Sequence, residues 1–320
     1  MKEIIIIKNR SDIGAGTRGA DLGVDAIEIA AINANNDFFN NFNHVDIETE
    51  NDAIYDKHIT PYAKRIGKVH TVCKRLSEQV KNVLSNHNFA FVLSGDHSSA
   101  LGTISGVKAA FKDKKIGVVW IDAHADLHSP YTSPSGNIHG MPLAAALNED
   151  NLACQKNKLS EETLTNWEQL KSLEGIKPKI THDSLIYFGV RDTEEEEDYL
   201  INKHQIKNYT VAEYRYKGTT TCLNESVEKL SACDFIYVSF DVDSLDCDLI
   251  SKGTGTPVSK GFDQYEIIEI IAAFIKTGKV CALEVVEVNP TLDEKGNKMA
   301  EVAFEVINKI TPLIQQYNIK

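Results

Sequence analysis

Six short apolar runs recur along this chain, and polar residues follow five of them directly, an arrangement that restricts the fold before any composition is counted. The runs occupy residues 3–7, 89–93, 116–121, 185–189, 235–240 and 280–286. Amphipathic stretches at 69–85, 160–173, 227–232 and 264–277 lie between them, and one at 300–316 closes the chain. Strands alternating with helices predict βαβ units and a mostly parallel sheet. The expected fold class is α/β: a three-layer sandwich with a central mostly parallel sheet flanked by helices. No repeat period, low-complexity tract or Pro/Gly/Ser-rich linker divides residues 1–320, so a single domain is expected.

The polar residues carry the chemistry. Ser94-Gly95-Asp96-His97 follows one run and Asp122-Ala123-His124-Ala125-Asp126 the next. Arg191-Asp192, Asp241-Val242-Asp243 and Glu287-Val288-Asn289-Pro290 follow three more. In open α/β sheets the ligand crevice lies beyond the carboxyl ends of the strands, so five strand exits deliver side chains to one rim. Alternate side chains of extended backbone share a face, which lets Asp122, His124 and Asp126 converge, and Asp241 with Asp243. Five ligands of mixed oxygen and nitrogen suit Mn, Mg or Fe(II) better than a structural zinc. Any one Asp or His after a strand is more often a cap or turn residue. Together they repel one another, and buried unpaired carboxylates are costly, so two adjacent exits of this kind imply a cation between them. The run Glu194-Glu195-Glu196-Glu197-Asp198 reads as a solvated helix start whose first member is close enough to face the rim. Cys247 reads as a small packing residue rather than a soft ligand, and Gly102, Gly136, Gly140 and Gly255 as turn glycines.

A formal charge of −12 argues against nucleic acid and anionic membrane surfaces as main partners, both of which need clustered Lys and Arg, and is compatible with a cationic small substrate. With 42% hydrophobic and 25% charged residues, the chain has no tract long enough to cross a bilayer. The apolar block at residues 4–7 runs into Lys8-Asn9-Arg10, too short for a secretory leader, and is expected to be the first buried strand. Six cysteines without a CxxC pair point to reduced thiols and a cytoplasmic location.

Taken together, the segments resemble the arginase (ureohydrolase) family. The matching pieces are Gly14-Ala15-Gly16-Thr17-Arg18-Gly19-Ala20-Asp21-Leu22-Gly23, Ser94-Gly95-Asp96-His97-Ser98 and Trp120-Ile121-Asp122-Ala123-His124-Ala125-Asp126. They continue in family order with Ser135-Gly136-Asn137-Ile138-His139-Gly140-Met141-Pro142, Ser239-Phe240-Asp241-Val242-Asp243, Gly253-Thr254-Gly255-Thr256-Pro257-Val258 and Glu287-Val288-Asn289-Pro290. The resemblance implies a binuclear manganese hydrolase that converts L-arginine to L-ornithine and urea, with two Mn(II) per chain and assembly as a homo-oligomer. It places one ion on His97, Asp122, Asp126 and Asp241 and the other on Asp122, His124, Asp241 and Asp243. Asp126, His139 and Glu287 become the catalytic residues. His128, Ser135 and Asn137 are assigned to the substrate α-carboxylate, Asp192 or Glu194 to its α-amino group, and Thr256 to the guanidinium end. The chain departs from the family pattern in having Asp126-Leu127-His128 where an Asn usually stands third, and Asp246-Cys247 where Asp-Pro is common. The runner-up is agmatinase or another guanidine ureohydrolase; a one-zinc deacetylase and a non-catalytic guanidine binder are the remaining alternatives.

Overall fold

Strands form where β-branched and aromatic residues are consecutive, and here they are buried on both faces. The computed structural model describes residues 1–57 and 59–319. Its strands are β1 (Ile4–Asn9), β2 (Asn43–Asp46), β3 (Phe89–Ser94), β4 (Ile116–Ile121), β5 (Leu185–Phe188), β6 (Lys207–Tyr209), β7 (Phe235–Asp241) and β8 (Val280–Val286). They pair in one sheet, in the order β2-β1-β3-β8-β7-β4-β5-β6, and every pairing is parallel.

The strand period of two sends alternate side chains to two separate cores. Phe89, Phe91 and Leu93 of β3 join one core with Val119 and Ile121 of β4, while Ala90, Val92, Val118 and Trp120 join the other. Helices α1 (Gly23–Asn33), α9 (Gln264–Ile275) and α10 (Lys298–Tyr317) cover the first face, as do residues of α7 (Val211–Lys217) and α8 (Thr219–Lys229). Helices α2 (Ile66–Ser85), α3 (Ala100–Ala110), α4 (Pro142–Leu147), α5 (Glu161–Lys171) and α6 (Glu195–His204) supply the second. Helix α2 shows why: Val69, Val72, Cys73, Leu76, Val80 and Val83 recur at three- and four-residue spacing and form one buried stripe.

The expected three-layer α/β sandwich is what the chain forms, with two additions at the sheet edges. Neither β2 nor β6 was expected. Both are short and partly exposed, so neither carries an apolar run. The helix expected at 227–232 spans Thr219–Lys229 instead, where Cys222 and Ser226 face inward rather than a hydrophobic series. Gly102, expected in a turn, lies inside α3. All six cysteines are free thiols, and Cys247 is buried. No helix among the described residues is long and apolar enough to cross a membrane.

Close approach of two helices explains Gly102. A Cβ added there would stand 2.7 Å from the carbonyl oxygen of Cys73 and 3.0 Å from its Cα, both backbone atoms of α2. Alanine favours a helix interior over glycine by up to about 1 kcal/mol. The steric clash is larger, because a helix axis must shift to relieve it. Gly102→Ala is therefore expected to lose about 1–3 kcal/mol of stability, as overpacked cores do, read by the midpoint of urea unfolding. An unchanged or raised midpoint would show that the two helices are not in tight contact.

Candidate metal centre

Register places the first two carboxylates. Ile121 of β4 pairs with Phe240 of β7, so the next residues, Asp122 and Asp241, leave two neighbouring parallel strands side by side. Both are buried. Asp122 Oδ1 accepts the amide hydrogen of His124 at 2.7 Å, and Asp241 Oδ1 that of Asp243 at 2.8 Å. Each turn thus ties down one carboxylate oxygen and leaves the other free to point into the rim.

Around those free oxygens the structure gathers two groups that share Asp122, one of His97, Asp122 and Asp126, the other of Asp122, His124 and Asp243. His97 Nδ1 lies 3.0 Å from Asp122 Oδ2, 3.2 Å from Asp126 Oδ2 and 3.1 Å from Asp241 Oδ2. His124 Nδ1 is 2.9 Å from Asp243 Oδ2 and 3.5 Å from Asp122 Oδ1. His97 Nδ1 and Asp122 Oδ2 are buried, and among the described residues neither has a partner in hydrogen-bond geometry. A lone pair and several carboxylate oxygens that converge without sharing hydrogens are what a divalent cation satisfies, and the oxygen-rich donor set fits a hard or borderline ion. Burial, then the Asp243 and Asp122 charges, push the Asp241 carboxyl well above the usual range, and burial with Asp122 pushes Asp126 up to about 6. Burial works against the charge of Asp122 too, yet the His124 and His97 imidazoles hold that group well below the ordinary value.

Surrounding residues fix these side chains in place. His97 Nε2 pairs with Ser239 Oγ at 2.7 Å, and its ring stacks on Trp120 with centroids 4.0 Å apart and planes 7° apart. Asp243 accepts from Ala123 N at 3.0 Å and from Thr256 Oγ1 at 3.0 Å. Arg191 braces the loop behind them, donating to the backbone carbonyls of Asp243, Val258, Ser259 and Gly189 at 2.8–3.0 Å. Asp126 and Glu287 hold φ of 52° and 66°, a left-handed conformation that costs non-glycine residues of order 1–3 kcal/mol.

A cavity of about 150 Å³ opens over the cage, lined by His97, His124, Asp126, Asp241, Asp243 and Thr256 below and by His128, Ser135, Asn137, His139 and Glu194 above. Three predicted residues stand apart from that lining, and the first of them, Asp122, is fully buried. Asp192, with a side chain 66% exposed, lies at the outer edge, 3.6 Å from His124 Nε2. Glu287 sits behind the wall, where Oε1 accepts the amide hydrogen of His97 at 2.8 Å and pairs with His139 Nδ1 at 3.2 Å. Burial opposes the His139 charge, but the Glu287 carboxylate outweighs it and raises the imidazole to about 9. Ser135 is exposed and accepts from Asn137 N at 3.1 Å, while Asn137 Oδ1 accepts from Lys64 Nζ at 3.2 Å. Both His128 nitrogens are engaged, Nδ1 with Thr132 Oγ1 at 3.1 Å and Nε2 with Glu194 Oε2 at 3.0 Å.

Glu197 is the residue the sequence reading missed. Far from lying on a solvated face, it is buried, lines the cavity and accepts the amide hydrogen of Leu127 at 3.0 Å. The available signal was the spacing Glu194-x-x-Glu197, which closes a capping box at the start of α6.

Similarity to known proteins extends over nearly the whole chain. A model described as the arginase family matches residues 2–311. An arginase of Bacillus subtilis (strain 168) is 34% identical over 311 residues, 97% of both chains. Among solved structures, the arginase of Bacillus caldovelox superposes with a TM-score of 0.82 at 32% identity, over 97% of this chain and 98% of that one. The Entamoeba histolytica arginase in complex with L-ornithine superposes with a TM-score of 0.80 at 26% identity, over 97% of this chain and 99% of the other.

Burial drives the Glu197 carboxyl up to about 8, whereas the bond from His128 holds Glu194 down to about 2. A carboxyl raised in the folded state stabilises the fold below its unfolded value, near 4.3, and that contribution is lost as pH rises through 8. Glu197→Gln removes the loss and keeps a carbonyl for Leu127 N. The variant should therefore gain stability relative to the parent chain as pH rises from 5 to 9, followed by thermal melting across that range. A constant difference between the two melting curves would remove Glu197 as a buried, protonated group.

Proposed function

The chain belongs to the arginase family, and we propose that it is a metal-dependent hydrolase of linear amidines that converts L-arginine to L-ornithine and urea with two Mn(II) per chain. The supporting observation is the junction of the two ligand groups, where His97 Nδ1 and Asp122 Oδ2 are buried and, among the described residues, without a partner in hydrogen-bond geometry. His97, Asp122, Asp126 and Asp241 hold one ion in this reading, and Asp122, His124, Asp241 and Asp243 the other. Ions held there would supply the nucleophile, by lowering the pKa of a water towards neutrality.

The remaining steps fall to the chain's own residues. The guanidinium is delocalised and a poor electrophile, so placement matters as much as activation. Glu287 pairs with it in place of the His139 contact, and Thr256 lines the same end. Asp126 accepts the proton of the attacking water. It passes that proton to the departing δ-nitrogen as the carbon–nitrogen bond breaks; the second proton of the attacking water, released as the oxygen becomes the urea carbonyl, reaches the freed amine through His139 and leaves urea and a protonated ornithine side chain. His139, partly exposed beside Glu287, exchanges protons between cavity and solvent. At the cavity mouth Ser135, Asn137 and His128 face the α-carboxylate, and Asp192 or Glu194 the α-amino group. Association of several copies into a homo-oligomer belongs to the same reading and is checked by sedimentation.

Three experiments test this function. Metal-stripped protein should release urea from arginine when manganese is restored, and should prefer arginine to agmatine, because a site built around an α-carboxylate rejects a substrate without one. Faster turnover of agmatine, or restoration by zinc and not manganese, would overturn the substrate or the metal assignment. Asp241→Ala should abolish both metal retention and turnover; retention of two manganese ions with full rate refutes its place in the cage. His139→Asn should slow turnover by about 10²-fold or more while keeping the metal, since positioned proton transfer contributes about 10²–10⁴-fold. Loss of manganese from that variant would make His139 a structural residue instead.

A further inference from the structure

Away from the rim, a second set of ligating side chains comes together from three elements. Glu149 follows α4, His182 lies in the turn that leads into β5, and His204 ends α6. One ligand atom from each lies within 4.8 Å of the others. Glu149 Oε2 is 3.6 Å from His204 Nε2 and 4.0 Å from His182 Nε2, while Oε1 accepts the amide hydrogen of Asn151 at 2.8 Å and so fixes the carboxylate. Both Nε2 atoms are shielded from water, and among the described residues neither has a hydrogen-bond partner. The two rings stack with centroids 3.6 Å apart and planes 9° apart. Buried polar atoms are ordinarily paired, and the proposed hydrolysis uses none of these three residues.

We propose that Glu149, His182 and His204 form a third metal site, for a zinc-like cation, separate from the carboxylate-rich centre. Two imidazoles and one carboxylate make an N₂O set that suits zinc, with solvent completing the coordination. Tetrahedral zinc with bonds of about 2.1 Å has ligand–ligand edges of about 3.4 Å, so the two carboxylate–imidazole separations, 3.6 and 4.0 Å, close by a few tenths of an ångström. The rings open from their stack to aim both lone pairs at one point. Burial and the facing His204 ring favour the neutral, metal-binding form of His182. Roughly a quarter of each imidazole is exposed, which gives an ion a way in. A bound ion would clamp the last turn of α6 to the segment after α4. That same helix carries Glu194 and Glu197 at its other end, on the cavity wall.

The test titrates manganese-loaded full-length protein with zinc chloride and counts both metals per chain by mass spectrometry after desalting. The expected result is one retained zinc alongside the full manganese content, and a melting temperature raised by zinc. His204→Gln and Glu149→Gln should each weaken zinc retention at least tenfold and abolish the rise in melting temperature, with urea release in manganese unchanged. Cobalt(II) provides a second readout, a visible absorption present in the parent chain and absent from both variants. Zinc that enters only by displacing manganese, or a third equivalent held as tightly by both variants as by the parent, overturns the proposal.

Discussion

Mutual repulsion among four buried aspartates is the constraint on which the rest of this architecture depends. Asp122, Asp126, Asp241 and Asp243 meet two imidazoles at the carboxyl ends of β4 and β7, away from water. Backbone amides neutralise one oxygen of Asp122 and one of Asp241, and Arg191 lends fixed positive charge from behind without entering the cage. What remains is too much negative charge for two histidines to balance in a low-dielectric setting, so the arrangement makes physical sense as a cradle for cations. The strained backbone at Asp126 and Glu287 fits the same view, because surrounding packing has to over-determine conformations that neither residue prefers.

Much of this was legible in the chain because period-two spacing and strand-end chemistry are local. Asp122, His124 and Asp126 share a face by sequence spacing alone, and the residues that end up around His97 Nδ1 could all be named in advance. Pairing partners were not legible: nothing near Ile121 says that Phe240 will be its neighbour. Helix α3 stayed hidden because it is buried nearly all round and shows no polar stripe, and β2 because Asn43-His44-Val45-Asp46 has almost no apolar content. Glu197 was misjudged for the opposite reason. In a run of five acidic residues, solvation is the natural reading, yet the helix turns one of them inward to cap Leu127.

The imidazole at position 128 changes the character of the cavity mouth. An asparagine there would present a neutral amide; His128 brings Glu194 and Glu197 with it and becomes one corner of a charged cluster. In the proposed reading, Glu194 and an incoming α-carboxylate compete for the same nitrogen. Affinity at this end depends on how readily Glu194 yields, a quantity set by the start of α6 and not by the metal cage.

Parallel pairing of Ile121 with Phe240 carries a consequence for how such a chain can vary in length. An extra residue inside β4 or β7 would rotate one aspartate to the opposite side of the layer while its neighbour stayed put, and the two carboxylates would no longer converge. Extra residues in the crossover connections leave that alignment alone. Drift in chain length is thus channelled into the outer helices and the loops at the far ends of the strands, while the interior tolerates exchange of one side chain for another but no change of count.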